Sequence, residues 1–115
     1  MTKKKIEIGA FLPSAGEFPR KYGVNNMAIR LEELGFSSLW VSDHILMPEI
    51  IKADYPFAKD KKATWDTNIA WYDSLILLSM AAAVTKNIKL GTAVLVLPLR
   101  HPIIFAKQAA TIDEL

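Results

Sequence analysis

The hydrophobic positions of this chain come in short blocks, compact apolar runs alternating with stretches of helical spacing. Ile6 to Leu12 is a compact apolar run closed by the turn formers Pro13-Ser14-Ala15-Gly16, which predicts a first strand and a loop continuing to about Tyr22. Val24, Met27, Ala28, Leu31 and Leu34 then fall on one face of a helix, with Arg30, Glu32 and Glu33 off that face and Gly35 placed to close it in the left-handed region. Phe36 to Ser42 follows at once as a second strand, with Asp43-His44 directly after its end. From Ile45 to about Trp71 the pattern is irregular, and the aromatics Tyr55, Phe57, Trp65, Trp71 and Tyr72 favour an ordered lid over a disordered loop. Asp73 or Ser74 can cap the next helix, Ser74 to about Lys86, whose Leu75, Leu77, Leu78, Ala81, Ala82 and Val84 leave little polar face. Asn87 can end it in the left-handed region.

The last apolar block, Ile88 to Leu97, is almost uninterrupted and reads as a strand buried on both faces, as in a parallel sheet. Gly91 inside it marks a bulge or a close approach to bare backbone. Pro98 stops the strand, and Pro102 opens a third helix that runs to the end. The order β-α-β-long loop-α-β-α predicts an α/β fold with parallel strands and right-handed crossovers. Three strands are few, the last helix carries no stop signal at Asp113-Glu114-Leu115, and a buried third strand would leave an apolar edge open. The expectation is the beginning of a larger α/β domain, or a core completed by association.

Composition narrows the function classes. The 115 residues are 51% hydrophobic, rich for so short a chain, with a mean hydropathy of +0.19. Fourteen Lys and Arg against twelve Asp and Glu give a formal charge of +2. The clusters Lys3-Lys4-Lys5 and Lys59, Lys61, Lys62 read as a solvated terminus and a solvated loop, and no basic stripe with interleaved aromatics speaks for nucleic acid. Without cysteine there is neither a disulfide framework nor a thiol nucleophile or Cys-based metal site. No apolar segment reaches the ~18 residues of a membrane span, since Lys86 and Lys89 interrupt the longest, and no signal core follows the N-terminal lysines. A cytoplasmic location is expected. Phosphate-cradling, dinucleotide, zincin and nucleophile-elbow motifs are missing, and Glu32-Glu33 reads as a solvated helix face.

Four segments together resemble one family. Leu34-Gly35-Phe36-Ser37-Ser38-Leu39-Trp40-Val41-Ser42-Asp43-His44 is similar to the second-strand signature of the bacterial luciferase-like monooxygenase superfamily. Gly91-Thr92-Ala93-Val94-Leu95-Val96-Leu97-Pro98 with His101-Pro102 resembles its third-strand signature. Tyr72-Asp73 ahead of an Ala-rich helix, and Ala106-Lys107-Gln108-Ala109-Ala110-Thr111-Ile112-Asp113, fit as well. The resemblance covers essentially the whole chain. It implies the first three βα units of a (β/α)8 TIM barrel, with residues 1–115 an incomplete barrel, because a complete one needs ~250 residues. It also implies reduced FMN with O2 oxygenating a small organic substrate, or alternatively hydride transfer from the deazaflavin F420. The family's phosphate-gripping loops lie in later units.

On that resemblance His44 is the candidate catalytic residue: it follows a strand's C-terminal end, and a histidine titrates near neutral pH. Asp43 either orients the imidazole or bonds loop amides. Thr92, Ala93 and Val94 are expected to support the flavin ring at a bulge with a non-prolyl cis bond between Ala93 and Val94; the alternative is an ordinary buried strand. Phe11 and Leu12 line the ring pocket or pack in the core, and Trp65 and Tyr72 floor a substrate cavity or anchor the loop. Arg100 reads as a surface ion pair, the alternative being that it meets an anion or a carboxylate of a later segment, and His101 reads as part of a helix start. A reading of another class is a non-catalytic flavin-binding or association fragment. The apolar helix 74–86 suggests a homo-oligomer, a dimer in the family's manner, and Leu78→Lys suggests itself as the test of association through it.

Overall fold

The computed structural model describes residues 6–63 and 65–115, so the Lys3-Lys4-Lys5 cluster lies outside the described residues. Three strands, Gly9–Phe11 (β1), Ser38–Val41 (β2) and Lys89–Thr92 (β3), form one parallel sheet in the order β1-β2-β3. In register, Phe11 lies beside Trp40 and Trp40 beside Gly91. Among the described residues four α-helices accompany them: Phe18–Tyr22 (α1), Val24–Glu33 (α2), Ser74–Ala82 (α3) and Pro102–Glu114 (α4). The predicted α/β alternation is present, with one helix more than the pattern shows, because α1 forms inside the loop after β1.

Side chains alternate across a strand, so each strand offers one set to the helices. Leu12, Leu39, Val41 and Ile88 point to the same layer as Val24 and Ala28 of α2 and Leu77, Leu78 and Ala81 of α3, and together they are the buried core. The opposite face carries Gly9, Phe11, Trp40 and Gly91. There the Trp40 indole lies across the sheet. A Cβ built on Gly9 would stand 2.7 Å from its Nε1, and one on Gly91 would stand 2.7 Å from its Cζ3. Both distances are shorter than real contacts allow, so glycine on each neighbouring strand is what lets the ring lie flat. The Trp40 indole N–H donates to Ser38 Oγ at 2.9 Å.

Three expectations are corrected. The first two strands are shorter than the apolar blocks. The third is not a long strand buried on both faces: it ends at Thr92, with Ala93 N adding one bond to Val41 O at 2.8 Å. Beyond Val41 its partner β2 has ended, so the ladder has nothing to pair with. Leu97–Leu99 then forms a single 3₁₀ turn around Pro98, and Val94 is 79% exposed. The helix expected to reach Lys86 ends at Ala82, and Asn87 does not take the left-handed backbone. Gly35, by contrast, does close α2 in that region at φ +86.

Glu32 explains the turn before β3. Its Oε1 accepts from the backbone amides of Lys86 (2.9 Å), Asn87 (2.7 Å) and Ile88 (3.0 Å), so it is an anchor and not a solvated face. The hydrogen bonds from Asn87 and then Lys86 hold its carboxyl below the usual glutamate range. A depressed native value stabilises the fold above the unfolded-state value, and that contribution is lost as pH falls through the native one. Glu32→Ala is therefore expected to lower Tm at neutral pH, with the deficit closing on acidification. Glu33→Ala removes only an exposed pair with Arg30 and should leave Tm close to wild type. Parallel thermal melts of both variants from neutral to acid pH check this.

Candidate functional site

The C-terminal ends of β2 and β3 are neighbours, because Val41 pairs with Thr92. The chain leaves β2 through Ser42, Asp43 and His44, and leaves β3 through Ala93 and Val94, so the sequence-predicted residues of both strands emerge at one rim. The peptide bond between Ala93 and Val94 is cis. Thr92 is the last ladder residue, partly buried, while Ala93 and Val94 are exposed. Phe11 stands two strands away, beyond Trp40, and lines an open groove of about 480 Å³ at the β1 edge with Pro13, Tyr22 and Met27. Leu12 is fully buried in the core, which settles its role as packing.

His44 is half-buried against the aromatics of the long loop. Its ring centroid lies 4.2 Å from that of Trp71 and 6.0 Å from that of Trp65, and Trp65 in turn meets Tyr55 edge-on at 4.9 Å. Among its described residues the segment 45–71 has no helix or strand beyond a bridge between Trp71 and Ala15, and Gly16 N donates to Ala70 O at 2.9 Å beside that bridge. Tyr72 N donates to Ser14 O at 2.9 Å, and Tyr72 packs on the core. Among the described residues, Trp65 Nε1, Trp71 Nε1 and Tyr72 Oη are buried without a hydrogen-bond partner. Buried donors are rarely left so, which makes this group a candidate for contact with a bound acceptor.

Asp43 is 3% exposed and is the best-satisfied polar group of the site. Its Oδ1 accepts from Ser74 Oγ at 2.9 Å and Arg100 Nη2 at 2.6 Å, and its Oδ2 from Val96 N at 3.0 Å and Arg100 Nε at 3.3 Å. Arg100 Nη2 also donates to Asp73 Oδ2 at 3.1 Å. Asp73 is the N-cap of α3, accepting from Leu75 N and Ile76 N, so the capping alternative falls to Asp73 and not Ser74. Burial by itself raises the Asp43 carboxyl, but the bonds from Arg100, Val96 and Ser74 outweigh it and hold the group below the usual aspartate range. The Asp43 bonds raise Arg100 in turn. Arg100 is not the surface ion pair its sequence position suggests, since its side chain is only 11% exposed.

Sequence reasoning missed Ser14, Ser42, Ser74 and Val96. Ser14 Oγ and Ser42 Oγ are 2.6 Å apart, joining the ends of β1 and β2. Nothing in their spacing signals this, because the partners are 28 residues apart. Arg100 had one available signal: a full positive charge set between Pro98 and Pro102, right after the most apolar stretch of the chain.

A family model described as luciferase-like monooxygenase matches residues 7–115. Among curated proteins, the chain is 39% identical over 90 residues to an uncharacterized protein of Mycobacterium tuberculosis, covering 76% of this chain and 32% of that one. A second uncharacterized protein of that organism is 29% identical over 89 residues, covering 77% and 31%. The 4-hydroxyprotoasukamycin monooxygenase of Streptomyces nodosus subsp. asukaensis is 27% identical over 117 residues, covering 97% of this chain and 26% of that enzyme. The chain thus spans about a third or less of the length of the curated relatives it matches. Among the described residues, no helix is long and apolar enough to cross a membrane, and no cluster of three or more His, Cys, Asp or Glu is arranged to hold a metal ion.

Proposed function

The chain belongs to the luciferase-like monooxygenase family, and on that premise we propose that it supplies the first three βα units of a (β/α)8 barrel whose rim binds a flavin. The activity is oxidoreduction of a small organic molecule, with reduced FMN and O2 as the first choice and F420 as the alternative. One observation carries the reading: His44 and the Ala93–Val94 segment leave adjacent parallel strands at the same C-terminal rim, the end where barrel enzymes place their chemistry.

The residues present suit a flat ring with polar edges. Ala93 and Val94 offer small aliphatic surface and exposed backbone. The unpaired Trp65, Trp71 and Tyr72 donors suit carbonyl and ring-nitrogen acceptors, whether on the flavin or on the substrate. When bound, the reduced flavin would supply the two electrons with which one atom of O2 enters the substrate and the other leaves as water; F420 would supply hydride. The chain's own part is position and proton traffic. His44 exchanges protons with the reacting groups, Thr92 ends the strand that holds the Ala93–Val94 support, and the aromatic loop 45–71 excludes water from the rim. Asp43, with both oxygens committed to protein donors, acts by holding its segment in place; direct contact with the cofactor is the weaker reading. Phe11 borders the flavin pocket from the β1 side.

Native mass spectrometry with FMN and with F420, followed by fluorescence titration of each, tests the reading. The expected result is saturable binding of one of them, weakened at least about tenfold by Val94→Asp, which puts a charge where the ring would lie. Binding of neither overturns the reading that this rim holds the cofactor without the later units.

A second reading rests on apolar surface left outside the core. Ile76 and Met80 of α3 and Ile103 and Ile104 of α4 are exposed, which supports pairing of subunits through the region of helix 74–86.

A further inference from the structure

We infer that Arg100 is a positioning residue for His44, acting through Asp43. The inference rests on reading His44 and the Ala93–Val94 segment as the two halves of the site, and it adds what keeps those halves in register. Four separate stretches of chain meet on two side chains. Asp43 belongs to the segment that leaves β2 one residue before His44. Val96, whose amide binds Asp43 Oδ2 at 3.0 Å, lies two residues past Val94. Ser74 and Asp73 belong to the start of α3, whose N-terminus Asp73 caps. Arg100 closes the set from beyond the 3₁₀ turn. Its Nε and Nη2 take the two oxygens of Asp43 separately, at 3.3 and 2.6 Å.

The geometry argues for placement and not only for charge balance. Two parallel N–H···O contacts fix both the distance and the plane of a carboxylate, whereas a single ammonium contact fixes the distance alone. With both oxygens held, the Asp43 side chain cannot rotate, and the backbone that carries His44 is fixed with it. The same carboxylate holds the Val96 amide, so a shift of either strand end is transmitted to the other. Arg100 touches neither His44 nor the Ala93–Val94 bond in any hydrogen bond among the described residues, which is why its role is indirect.

Arg100→Lys keeps the charge and loses the fork, and Arg100→Gln loses both. The chain has two histidines, so ring signals in a proton–carbon NMR spectrum of the full chain are assignable with His44→Gln. His101 adjoins Arg100 in sequence and is set aside in the comparison. A positioning role predicts that the His44 ring signals shift or broaden in both variants, with Arg100→Lys intermediate, while circular dichroism stays that of the folded chain. A merely stabilising pair predicts a lower Tm with His44 signals coincident with wild type, and that result overturns the proposal. If either variant fails to fold, Ser74→Ala removes one neutral donor from Asp43 and, at 3.3 Å, one acceptor from Arg100 Nη2, and decides on the same signals: a shift supports the role, coincidence overturns it. Titration of the same wild-type sample with FMN and F420 keeps the two readings apart. Binding of neither sinks the flavin assignment without touching the His44 comparison, and binding with unmoved His44 signals in the variants sinks the positioning role alone.

Discussion

Leu78→Lys is expected to unfold the chain and not to separate subunits. Leu78 is 6% exposed and sits in the core layer between α3 and the sheet, among Leu39, Val41 and Leu77. The side chains around it are apolar, so a lysine there would have to give up much of its hydration. Burying an unpaired charge costs about 4 kcal/mol or more, against a total stability of about 5–15 kcal/mol for an ordinary domain. Loss of the cooperative transition in a circular-dichroism melt is the expected observation; a native-like melt would mean that Leu78 does not face the core. The substitution that the sequence alone recommends for testing association is thus unsuitable, and Ile76→Lys takes its place. Ile76 lies on the same helix but is 62% exposed, so the change should stay within about 0.5 kcal/mol of wild-type stability. If subunits pair through α3, sedimentation will show Ile76→Lys as monomer at concentrations where wild type is dimeric. Equal sedimentation of the two would remove α3 from any interface.

Asp43→Ala should be the most damaging polar substitution, at about 3 kcal/mol, the lower end of the range for breaking a buried pair because Asp73 still meets Arg100. It strands the Val96 amide and takes from the Ser74 hydroxyl its acceptor and from Arg100 its bidentate partner. The pair also makes stability depend on pH. Asp43 is depressed in the folded state, so its contribution is complete above the unfolded-state value and is lost as pH falls through the native one. Urea denaturation at neutral pH should show the full difference between wild type and Asp43→Ala, and the gap should narrow in acid below the normal aspartate range. In a double-mutant cycle, Asp43→Ala with Arg100→Leu should cost less than the sum of the single changes, since each single change leaves a charge behind. Additivity would show that the two side chains are energetically independent.

The order of elements was legible because helical and strand periods are local properties. Val24, Met27, Ala28, Leu31 and Leu34 foretell α2 to within a residue, and Gly35 and Pro102 mark ends where backbone geometry requires those residue types. Strand length was not legible. Ile88 to Leu97 is apolar throughout, yet a strand lasts only as long as its neighbour, and β2 stops at Val41. The rim was legible in part: the position of His44 and of Ala93–Val94 after strands follows from the pattern, while their proximity follows only from the β2–β3 register. Glu32 and Arg100 were misread for a common reason. A local pattern places a charged residue in solvent, yet Glu32 answers amides 54 to 56 residues away and Arg100 answers carboxylates 27 and 57 residues away, separations over which no periodicity operates.

The indole of Trp40 ties three distant positions into one volume. Because its ring occupies the space where side chains at 9 and 91 would begin, those positions have no freedom to vary while Trp40 stays. Shrink the residue at 40 and position 91 is released, whereas a side chain at 9 would still meet the Ser38 hydroxyl; enlarge either neighbour and the ring must stand up, into the space over the open face of the sheet. Residues from all three strands thus inherit one another's size limits, with Ser38 adding its own limit at position 9.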